Sequence, residues 1–495
     1  MKFDVVVVGS GFAGSIMSMI ARRLGFSVAL IERGKHPRFA IGESSTPLAN
    51  LLLEELARTY DLPRLLPLTS WGAWQKQHPD LPVGLKRGFT FLHHRFHQPF
   101  SSQPPRANQL LVAASPSDDV ADTHWFRAGF DEFLLGEARS LGVNYFPETR
   151  LDTARSVADG MELEGPSLRC HAGFVIDATG PRGFLHDALG LKEIKLEDFP
   201  QTEALFTHFT AVKKLADPPA FASHELPPFP PDDAAVHHLF PGGWMWVLRF
   251  NHGVTSAGVA VEKSLAQELD LKSGAKAWEK LLERLPFVRE QFAAAHPERP
   301  LMHVPRLSFL SDRWAGPRWA LLPSAGGFVD PLLSTGFPLV LLGIKRLAHL
   351  LEVSRAQPSA EDLDEYSVPS RGEFDAARRL VSALYASLDD FEVFEDLSLL
   401  YFAAMIFSEA ARRMGQPELA RSFLLHDDPV FGPQLRACCQ GSGESRDSRR
   451  ARIRAAIEPL DLSRLLDPAR RHWHPYFEDQ ALARRILANH RGENV

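Results

Sequence analysis

The stretch Phe3-Asp-Val-Val-Val-Val-Gly-Ser-Gly-Phe-Ala-Gly14 decides the fold of this chain. Its first half is a run of apolar, mostly β-branched residues, which is typical of a strand buried in a parallel sheet. Its second half is a Gly-x-Gly-x-x-Gly turn, in which Gly9 and Gly11 allow a tight turn and a close approach to a pyrophosphate. The apolar residues that follow predict a helix near Phe12–Leu24.

The residues downstream of this turn complete a βαβ unit. Ser27–Ile31 is a second apolar strand, and Gly14 lets the helix pack closely on the first strand. Glu32 ends the second strand 18 residues after Gly14, where an acidic side chain can hold the ribose hydroxyls of an adenosine. The glycine motif is flanked by a strand, a helix and this Glu, so it predicts dinucleotide binding. The alternative is a buried α/β crossover without a ligand.

Two further strands have the same buried, apolar character. Phe174-Val-Ile-Asp-Ala-Thr-Gly180 follows a predicted β-meander around Leu151–Cys170 and ends in a turn of small residues. Trp319-Ala-Leu-Leu322 lies much later in the chain. Both strands are expected to join the first strand in one sheet.

A second informative motif is Phe328-Val-Asp-Pro-Leu-Leu-Ser-Thr-Gly336, which precedes the apolar helix predicted at Phe337–Leu351. Its small residues let backbone amides approach a ligand, and the free amides that open a helix can hold an anion or a flavin ring. The motif therefore suggests that the dinucleotide is FAD. The alternative is an ordinary helix N-cap, Ser334 or Thr335, without a ligand.

The bulk composition bounds the class of protein. The chain has 495 residues, too many for one core, and is 45% hydrophobic and 23% charged, as in soluble globular proteins. The net charge of -6 argues against a nucleic-acid or anionic-membrane surface. The three cysteines, Cys170, Cys438 and Cys439, have no disulfide or metal-ligand spacing, and no signal peptide is evident. A cytoplasmic location and no metal site are expected.

Three histidines, His93, His94 and His97, cluster in the first third of the chain. A metal site is one interpretation, and exposed loop histidines are the favoured one. No second glycine fingerprint for a nicotinamide cofactor follows a predicted strand.

Further motifs resemble those of the para-hydroxybenzoate-hydroxylase-like flavoproteins and, within them, the flavin-dependent halogenases of the tryptophan-halogenase type. The resemblance covers roughly residues 1–350 and also rests on the motifs Gly42-Glu-Ser-Ser-Thr-Pro47, Arg127 with Asp131 and Leu134, Ala178-Thr-Gly180, and Asp330-Pro331.

Three segments point to halogenases in particular. Gly42-Glu-Ser44 resembles their GES segment, and Ser334-Thr-Gly336 resembles the turn whose amides bind halide. Lys86, in Lys86-Arg-Gly-Phe-Thr-Phe91, resembles the active-site lysine of a KxGxxFxW segment, although His93 replaces the Trp. Such a lysine can hydrogen-bond hypohalous acid or, when burial lowers its pKa and it is neutral, form a chloramine. The alternative is a solvated surface charge.

The chain also departs from the family pattern. Trp244-Met-Trp-Val-Leu-Arg249 keeps both tryptophans of a WxWxIP signature but not its Ile-Pro, and a Trp pair on a strand is also explained by one buried face. Pro323-Ser324 replaces a Gly-Asp whose Asp contacts the ribityl chain, and Phe337 replaces a smaller aliphatic residue. Leu333 replaces the Glu that faces indole in tryptophan halogenases, so free tryptophan is a poor candidate for the substrate.

The resemblance implies a role for each matching residue. Lys86 is expected to be catalytic, and Thr335 and Gly336 are expected to bind halide. The residues expected to bind the cofactor are Gly9, Gly11, Phe12, Ala13, Gly14, Glu32, Arg33, Glu43, Ser44, Arg127, Asp330, Gly336 and Phe337.

The expected fold is α/β: a Rossmann-like FAD-binding domain of the glutathione-reductase type, an inserted α+β substrate lobe and a helical C-terminal region. The helical region is supported by apolar residues at 3.6 spacing in Phe374–Met414. Two Pro-rich stretches predict where the insertions fall. The domain prediction is a FAD domain at 1–199 with an insertion around 69–116, a substrate lobe at 200–300, a return to the FAD domain at 301–350, and the helical region at 351–495.

The function implied is that of a FAD-dependent halogenase of secondary metabolism. It would use oxygen, chloride or bromide, and FAD reduced by a separate flavin reductase. The expected substrate is an electron-rich aromatic compound of the phenol or pyrrole type, free or tethered to a carrier protein. Two alternatives are a halide-independent FAD monooxygenase or dehydrogenase of the same fold, and a flavoprotein that modifies a partner protein docked on the helical region.

Overall fold

The structure is a computed structural model, and it describes residues 1–100, 106–215, 226–441 and 443–491. Parts of both predicted insertions, residues 101–105 and 216–225, lie outside the described residues. Within the described ranges, no helix is long and apolar enough to cross a membrane.

The strands are short to medium in length and fall mostly in the first two thirds of the chain. In chain order they are β1 Lys2–Val8, β2 Val28–Ile31, β3 Val83–Lys86, β4 Gly88–His93, β5 Gln109–Ala113, β6 Asp122–Trp125, β7 Asn144–Phe146, β8 Thr153–Val157, β9 Gly160–Glu164, β10 Arg169–Asp177, β11 Thr202–Thr210, β12 Ala235–Phe240, β13 Gly243–Arg249, β14 Thr255–Glu262, β15 His296–Pro297, β16 Met302–Val304, β17 Phe309–Leu310, β18 Ala315–Gly316, β19 Trp319–Leu321, β20 Gly327–Phe328 and β21 Trp473–His474.

The helices become longer and more frequent towards the C-terminus. They are α1 Phe12–Arg23, α2 Pro47–Thr59, α3 Trp71–Gln77, α4 Arg127–Ser140, α5 Phe184–Ala188, α6 Lys263–Leu269, α7 Ala275–Arg284, α8 Pro286–Gln291, α9 Pro323–Gly326, α10 Gly336–Ser354, α11 Ala360–Tyr385, α12 Phe391–Arg413, α13 Phe431–Cys439, α14 Arg446–Ile457 and α15 Gln480–His490.

The first sheet confirms the predicted βαβ unit and the joining of the scattered strands. Its order is β18-β19-β10-β1-β2-β7, with the antiparallel meander β8–β9 attached to β10. The pairs β19–β10, β10–β1, β1–β2 and β2–β7 are all parallel. Val8 is in register with both Ile31 and Asp177, and Asp177 with Leu321. The carboxyl ends of these strands therefore lie at one edge, where α/β sheets bind ligands.

The second sheet is assembled from both predicted insertions. Its order is β15-β11-β14-β13-β12-β4-β5-β21, with β16 also paired to β11. Strands β4 and β5 come from the first insertion, β11 to β14 from the second, and the parallel pair β4–β12 joins them. The C-terminal strand β21 adds to the free edge of β5.

The predicted C-terminal helices are confirmed, and they pack into the body of the molecule. Helix α11 begins with a capping box in which Ser359 and Asp362 exchange hydrogen bonds, and α12 is capped by Asp390. From α12, Phe394 and Phe402 pack on Phe91 and Phe89 of β4. One apolar core thus runs from α1 through α10 to α12. The proposed domain boundaries stay a prediction.

One expectation about the histidines is wrong. The structure places His93 in β4, where its Nε2 lies 2.9 Å from the Leu388 carbonyl oxygen. His94 is only 4% exposed, and its Nε2 lies 2.9 Å from Nδ1 of His238. The histidines were expected in an exposed loop, but His93 ends β4 and His94, directly after the strand, is buried, so that only His97 of the three is exposed.

Candidate active site

A cavity of about 350 Å³ lies where the carboxyl edge of the first sheet meets the second sheet. Its lining includes Gly11 and Arg127, Trp244 and Trp246 of β13, and the turn at Ser334–Gly336. Most of its wall is apolar and aromatic, which excludes water and suits a planar ring system.

The glycine-rich turn after β1 has no room for side chains. Gly9 adopts a φ of +98°, and a Cβ there would lie 2.8 Å from the carbonyl carbon and oxygen of Ala178. A Cβ on Gly14 would lie 1.8 Å from the carbonyl oxygen of Gly9. Glycine is therefore required at both positions for β1, its turn and α1 to pack together.

Two arginines converge above Gly11, the second glycine of this turn. A Cβ on Gly11 would lie 3.3 Å from Nη2 of Arg38 and 3.4 Å from Nη2 of Arg127. Because the N-terminus of α1 also carries positive partial charge, this position suits the diphosphate of a dinucleotide. Sequence reasoning predicted Arg127 but missed Arg38, which follows the second strand without a motif of its own.

Arg127 is held rigidly at the start of α4. Its Nε and Nη2 each donate to Asp131, both at 2.8 Å, and its Nη1 donates to the carbonyl oxygens of Ile41 and Gly42, both at 3.1 Å. Asp131 also accepts a hydrogen bond from the backbone amide of Phe12 at 3.2 Å. Arg127 and Asp131 thus connect α4 to the glycine-rich turn and to the loop after β2.

Glu32 makes its hydrogen bonds to the same turn. Its Oε2 accepts from the amide and hydroxyl of Ser10 at 3.0 and 3.1 Å, and its Oε1 accepts from the amide of Gly34 at 2.9 Å. Burial by itself would raise the pKa of Glu32, but these bonds and the charge of Arg38 outweigh burial and lower the pKa. Glu32 is therefore an ionised acceptor at the end of β2, and its contact with a ribose stays a prediction. Arg33 is exposed.

The segment at Glu43–Ser45 brings two predicted residues to the cavity wall. It pairs with β6, because the amide of Trp125 donates to the Glu43 carbonyl oxygen at 2.6 Å. Glu43 Oε1 lies 3.0 Å from Nε2 of His208. Its Oε2 is buried without a partner among the described residues. A buried acceptor at a cavity wall fits a ligand that supplies a donor.

Lys86 is fully buried, so the interpretation as a solvated charge is wrong. Its Nζ donates to the Ser44 hydroxyl at 2.9 Å and to the Ser45 carbonyl oxygen at 2.5 Å, and it lies 3.8 Å from the centre of the Phe89 ring. Burial lowers the pKa of Lys86 to about 7, although the charge of Asp122 acts to raise it. Ser44 lines the cavity and Lys86 does not, so the amine lies directly behind the wall.

The turn before α10 has the geometry of an anion site. Leu333 and Ser334 adopt φ angles of 61° and 55°, in the left-handed region, and Thr335 follows as the N-cap. Neither hydroxyl acts as an ordinary cap, since α10 has no side-chain capping bond within the described residues. The amides that open a helix lack intrahelical partners, and a Cβ on Gly336 would meet nothing within 4 Å. The turn is therefore open to the cavity.

The bulky Phe337 is accommodated by a stack of rings. Its ring lies 4.3 Å from that of Trp125, nearly parallel at 19°, and Trp125 lies 4.4 Å from Phe130. The ring of Phe12 meets Phe337 edge-on at 5.0 Å. The aromatic side chain therefore anchors the start of α10 to α1 and α4.

Asp330 is bound to protein donors on the cavity wall. It accepts from Trp244 Nε1 at 3.2 Å, from the amide of Leu332 at 3.0 Å and from the Tyr385 hydroxyl at 2.9 Å. Burial raises the pKa of Asp330 to about 6 against the effect of these hydrogen bonds. Its observed role is to hold Trp244 and the following turn, and its predicted contact with the cofactor stays a prediction.

The donor set fits FAD. Two guanidinium groups and the N-terminus of α1 lie beside Gly11, the ionised Glu32 follows β2, and aromatic side chains and the turn before α10 line the cavity. The fold and site thus define a FAD-dependent oxidoreductase.

The particular family is given by comparison with known proteins. Residues 114–392 match the family model for tryptophan halogenase, and the chain belongs to this family. It is therefore a flavin-dependent halogenase that uses FAD and halide, which confirms the predicted class of enzyme.

Two curated relatives are halogenases. One is the monodechloroaminopyrrolnitrin halogenase PrnC of Pseudomonas fluorescens, 28% identical over 452 residues, which cover 87% of this chain and 77% of the relative. Another is the tetracycline 7-halogenase of Kitasatospora aureofaciens, which is 29% identical over 342 residues. The aligned residues cover 68% of this chain and 60% of the relative. Among solved structures, a FAD-bound mutant of the halogenase PltM matches with a TM-score of 0.83 at 25% identity and covers 93% of this chain and 96% of its own. These matches confirm the predicted fold class.

Proposed function

We propose that this enzyme halogenates an electron-rich aromatic compound of the phenol or pyrrole type, with Lys86 as the catalytic residue. The observation that carries the proposal is the fully buried amine of Lys86, which has a pKa of about 7 and donates a hydrogen bond to Ser44 in the cavity wall. A buried amine of this kind can present an oxidised halogen either as an ammonium donor or as a neutral nucleophile.

Each group of residues has a distinct part in this proposal. Bound FAD, once reduced and supplied with oxygen, provides the oxidising power that turns halide into an electrophilic halogen. Arg38 and Arg127 hold the diphosphate, and the amides at Thr335 and Gly336 hold the halide. The aromatic wall at Trp244 and Trp246 excludes water, so that the oxidised halogen reaches Lys86 before it is lost to solvent.

The substrate class is supported by what the relatives act on. Besides the two described above, the chain is 26% identical over 349 residues to a 1H-pyrrole-2-carbonyl-[peptidyl-carrier protein] chlorinase of Pseudomonas fluorescens. Leu333 at the position before Ser334 leaves no carboxylate there to face an indole. A phenol or pyrrole, free or carried on a partner protein, is therefore the proposed substrate. The reduced FAD is proposed to come from a separate flavin reductase in the cytoplasm.

The test is a product assay by mass spectrometry. Purified enzyme, FAD, a flavin reductase, NADH and bromide or chloride are incubated with free phenols, free pyrroles and a pyrrole thioester on a carrier protein. A product with the halogen isotope pattern from either a phenol or a pyrrole supports the proposal, and the free and carrier-bound samples distinguish the two forms of substrate. Oxygenated products that do not depend on halide would overturn it.

The role of Lys86 is tested with Lys86→Met, which removes the amine and keeps most of the side-chain volume. We expect halogenation to fall at least about 100-fold while FAD binding, measured by flavin fluorescence, stays within about twofold of the wild type. Lys345→Met is the matched control, because Lys345 is half-exposed, pairs with the partly buried Glu55 and does not line the cavity. Retained halogenation in Lys86→Met would contradict the catalytic role.

A further inference from the structure

A side chain of helix α12, that of Tyr401, reaches the turn that precedes α10. Tyr401 is 1% exposed, and its hydroxyl donates a hydrogen bond to the carbonyl oxygen of Leu333 at 3.0 Å. The two residues are 68 positions apart in the chain. Burial raises the pKa of Tyr401 above its ordinary range, so the hydroxyl remains a donor.

The acceptor belongs to a strained part of the backbone. Leu333 and Ser334 both adopt left-handed φ angles, a conformation that costs free energy for any residue with a Cβ. Such a conformation persists only where surrounding groups hold it in place. Thr335 and Gly336, the proposed halide-binding residues, follow immediately, so their amides take their direction from this turn.

The hydrogen bonds that hold the turn come both from within the motif and from a distant helix. The amide of Ser334 donates to the Pro331 carbonyl oxygen at 3.1 Å, and the amide of Leu332 donates to Asp330 at 3.0 Å. Both are local contacts within the motif. The bond from Tyr401 connects the strained residues to a distant element.

Tyr401 is itself fixed by packing. Its ring meets those of Phe402 at 5.3 Å and of Phe89 and Phe423 at 6.5 Å. The ring would therefore keep its place if only the hydroxyl were removed. This makes the hydroxyl separable from the packing of α12.

We propose that Tyr401 is a positioning residue for halide binding, whose hydroxyl holds the Leu333–Ser334 turn so that the amides of Thr335 and Gly336 are aligned on the halide. The inference deepens the proposed function and rests on its assignment of the halide to these two residues. It gives the helical C-terminal region a direct part in the active site.

The test compares Tyr401→Phe with Tyr366→Phe. Tyr366 is equally buried, and its hydroxyl donates to the carbonyl oxygen of Leu321, outside the turn. Both variants lose one buried hydroxyl, so both lose stability for the same reason. We expect only Tyr401→Phe to raise the KM for bromide, by about five- to tenfold, with kcat at saturating bromide and FAD affinity nearly unchanged.

A second readout does not depend on turnover. The line width of the chloride-35 NMR signal, titrated with enzyme that contains oxidised FAD, reports halide binding directly. Tyr401→Phe is expected to weaken this binding by the same factor as the KM. An unchanged halide affinity, or an equal loss in Tyr366→Phe, would overturn the inference. A wild-type enzyme that binds halide normally but yields no halogenated product would count against the proposed function instead.

A rescue experiment separates positioning from a general loss of structure. Glycine populates positive φ without strain, so Ser334→Gly relaxes the turn without removing a core side chain. We expect Ser334→Gly in the Tyr401→Phe background to recover most of the lost halide affinity. If Tyr401→Phe alone does not fold, the halide affinity of the double variant is compared with that of Ser334→Gly alone. No recovery would contradict the role of the hydroxyl in holding the turn.

Discussion

Lys86 and Asp122 face each other across the antiparallel strands β3 and β6, and both are buried. Asp122 Oδ1 accepts a hydrogen bond from Asn50 at 2.9 Å, while its Oδ2 has no partner among the described residues. Burial raises the pKa of Asp122 to about 7, although the charge of Lys86 acts to lower it. Because the amine and the carboxyl group titrate in the same pH range, the protonation state of each depends on that of the other at neutral pH.

This pair predicts the pH dependence of halogenation. The rate is expected to change through about pH 7, and its direction shows whether the ammonium or the neutral amine of Lys86 is active. Because the charge of Asp122 raises the pKa of Lys86, Asp122→Asn removes that effect, and the inflection should move to lower pH by about one unit or more. The measurement is kcat/KM between pH 5 and 10 at saturating halide.

The matched control is Asp375→Asn, which changes an exposed carboxylate paired with Arg378 and Arg379. Its pH profile should coincide with that of the wild type. An inflection that stays at the wild-type pH in Asp122→Asn would show that Lys86 is not the group that titrates.

The glycine-rich turn is a local element that positions the residues of the proposed cofactor site. The turn, α1 and α4 form a unit in which Asp131 caps the amide of Phe12 and Arg127 lies above Gly11. The close approach of Gly14 to the Gly9 carbonyl oxygen sets the position of α1. A change in this contact therefore moves the helix N-terminus that faces the diphosphate.

Gly14→Ala is expected to destroy FAD binding. Its Cβ would meet backbone rather than a flexible side chain, so the turn must open, at a cost of more than about 2 kcal/mol in unfolding free energy. Flavin absorbance after desalting and the midpoint of thermal unfolding measure both effects. Gly136→Ala on the exposed face of α4 is the control, since nothing lies within 4 Å and helix propensity should add about 0.5–1 kcal/mol of stability. Equal flavin content in the two variants would contradict the interpretation.

At the scale of the whole molecule, the C-terminal helices are built into the core. Besides Tyr385 and Tyr401, a buried ion pair links α10 to α11: Arg346 donates from Nη1 to Glu373 at 2.7 Å and from Nη2 to its other oxygen. The amide of Phe423 donates to the same carboxylate at 3.0 Å. Three distant segments thus meet at one buried charge.

Arg346→Met is expected to lower the unfolding free energy by about 3–5 kcal/mol, because it leaves the fully buried Glu373 without its counter-charge. Urea unfolding monitored by circular dichroism gives the value. Arg58→Met is the comparison, since the side chain of Arg58 is 66% exposed and pairs with Glu54 one helical turn away, a pair worth under about 1 kcal/mol. Similar losses in the two variants would show that the buried pair does not connect the segments.

Much of the fold follows from local sequence patterns. The apolar run at β1, the glycine turn, Glu32 at the end of β2 and the apolar helix α10 were all predictable, because backbone conformation and side-chain periodicity depend on near neighbours. The residues of the glycine motif were predictable for the same reason: a missing Cβ is visible in the sequence, and its steric consequence is local.

Only the tertiary structure decided how distant segments combine. The parallel pairing of β4 with β12, the convergence of Arg38 on Gly11 and the contact of Tyr401 with Leu333 join residues far apart in the chain. The burial of Lys86 behind Ser44, which lowers its pKa, likewise depends on the packing of β3 against the segment after β2. The sequence by itself determined the class of cofactor and identified Lys86 as the candidate catalytic residue. Packing determined the environment of that lysine, because burial and long-range hydrogen bonds have no local sequence pattern.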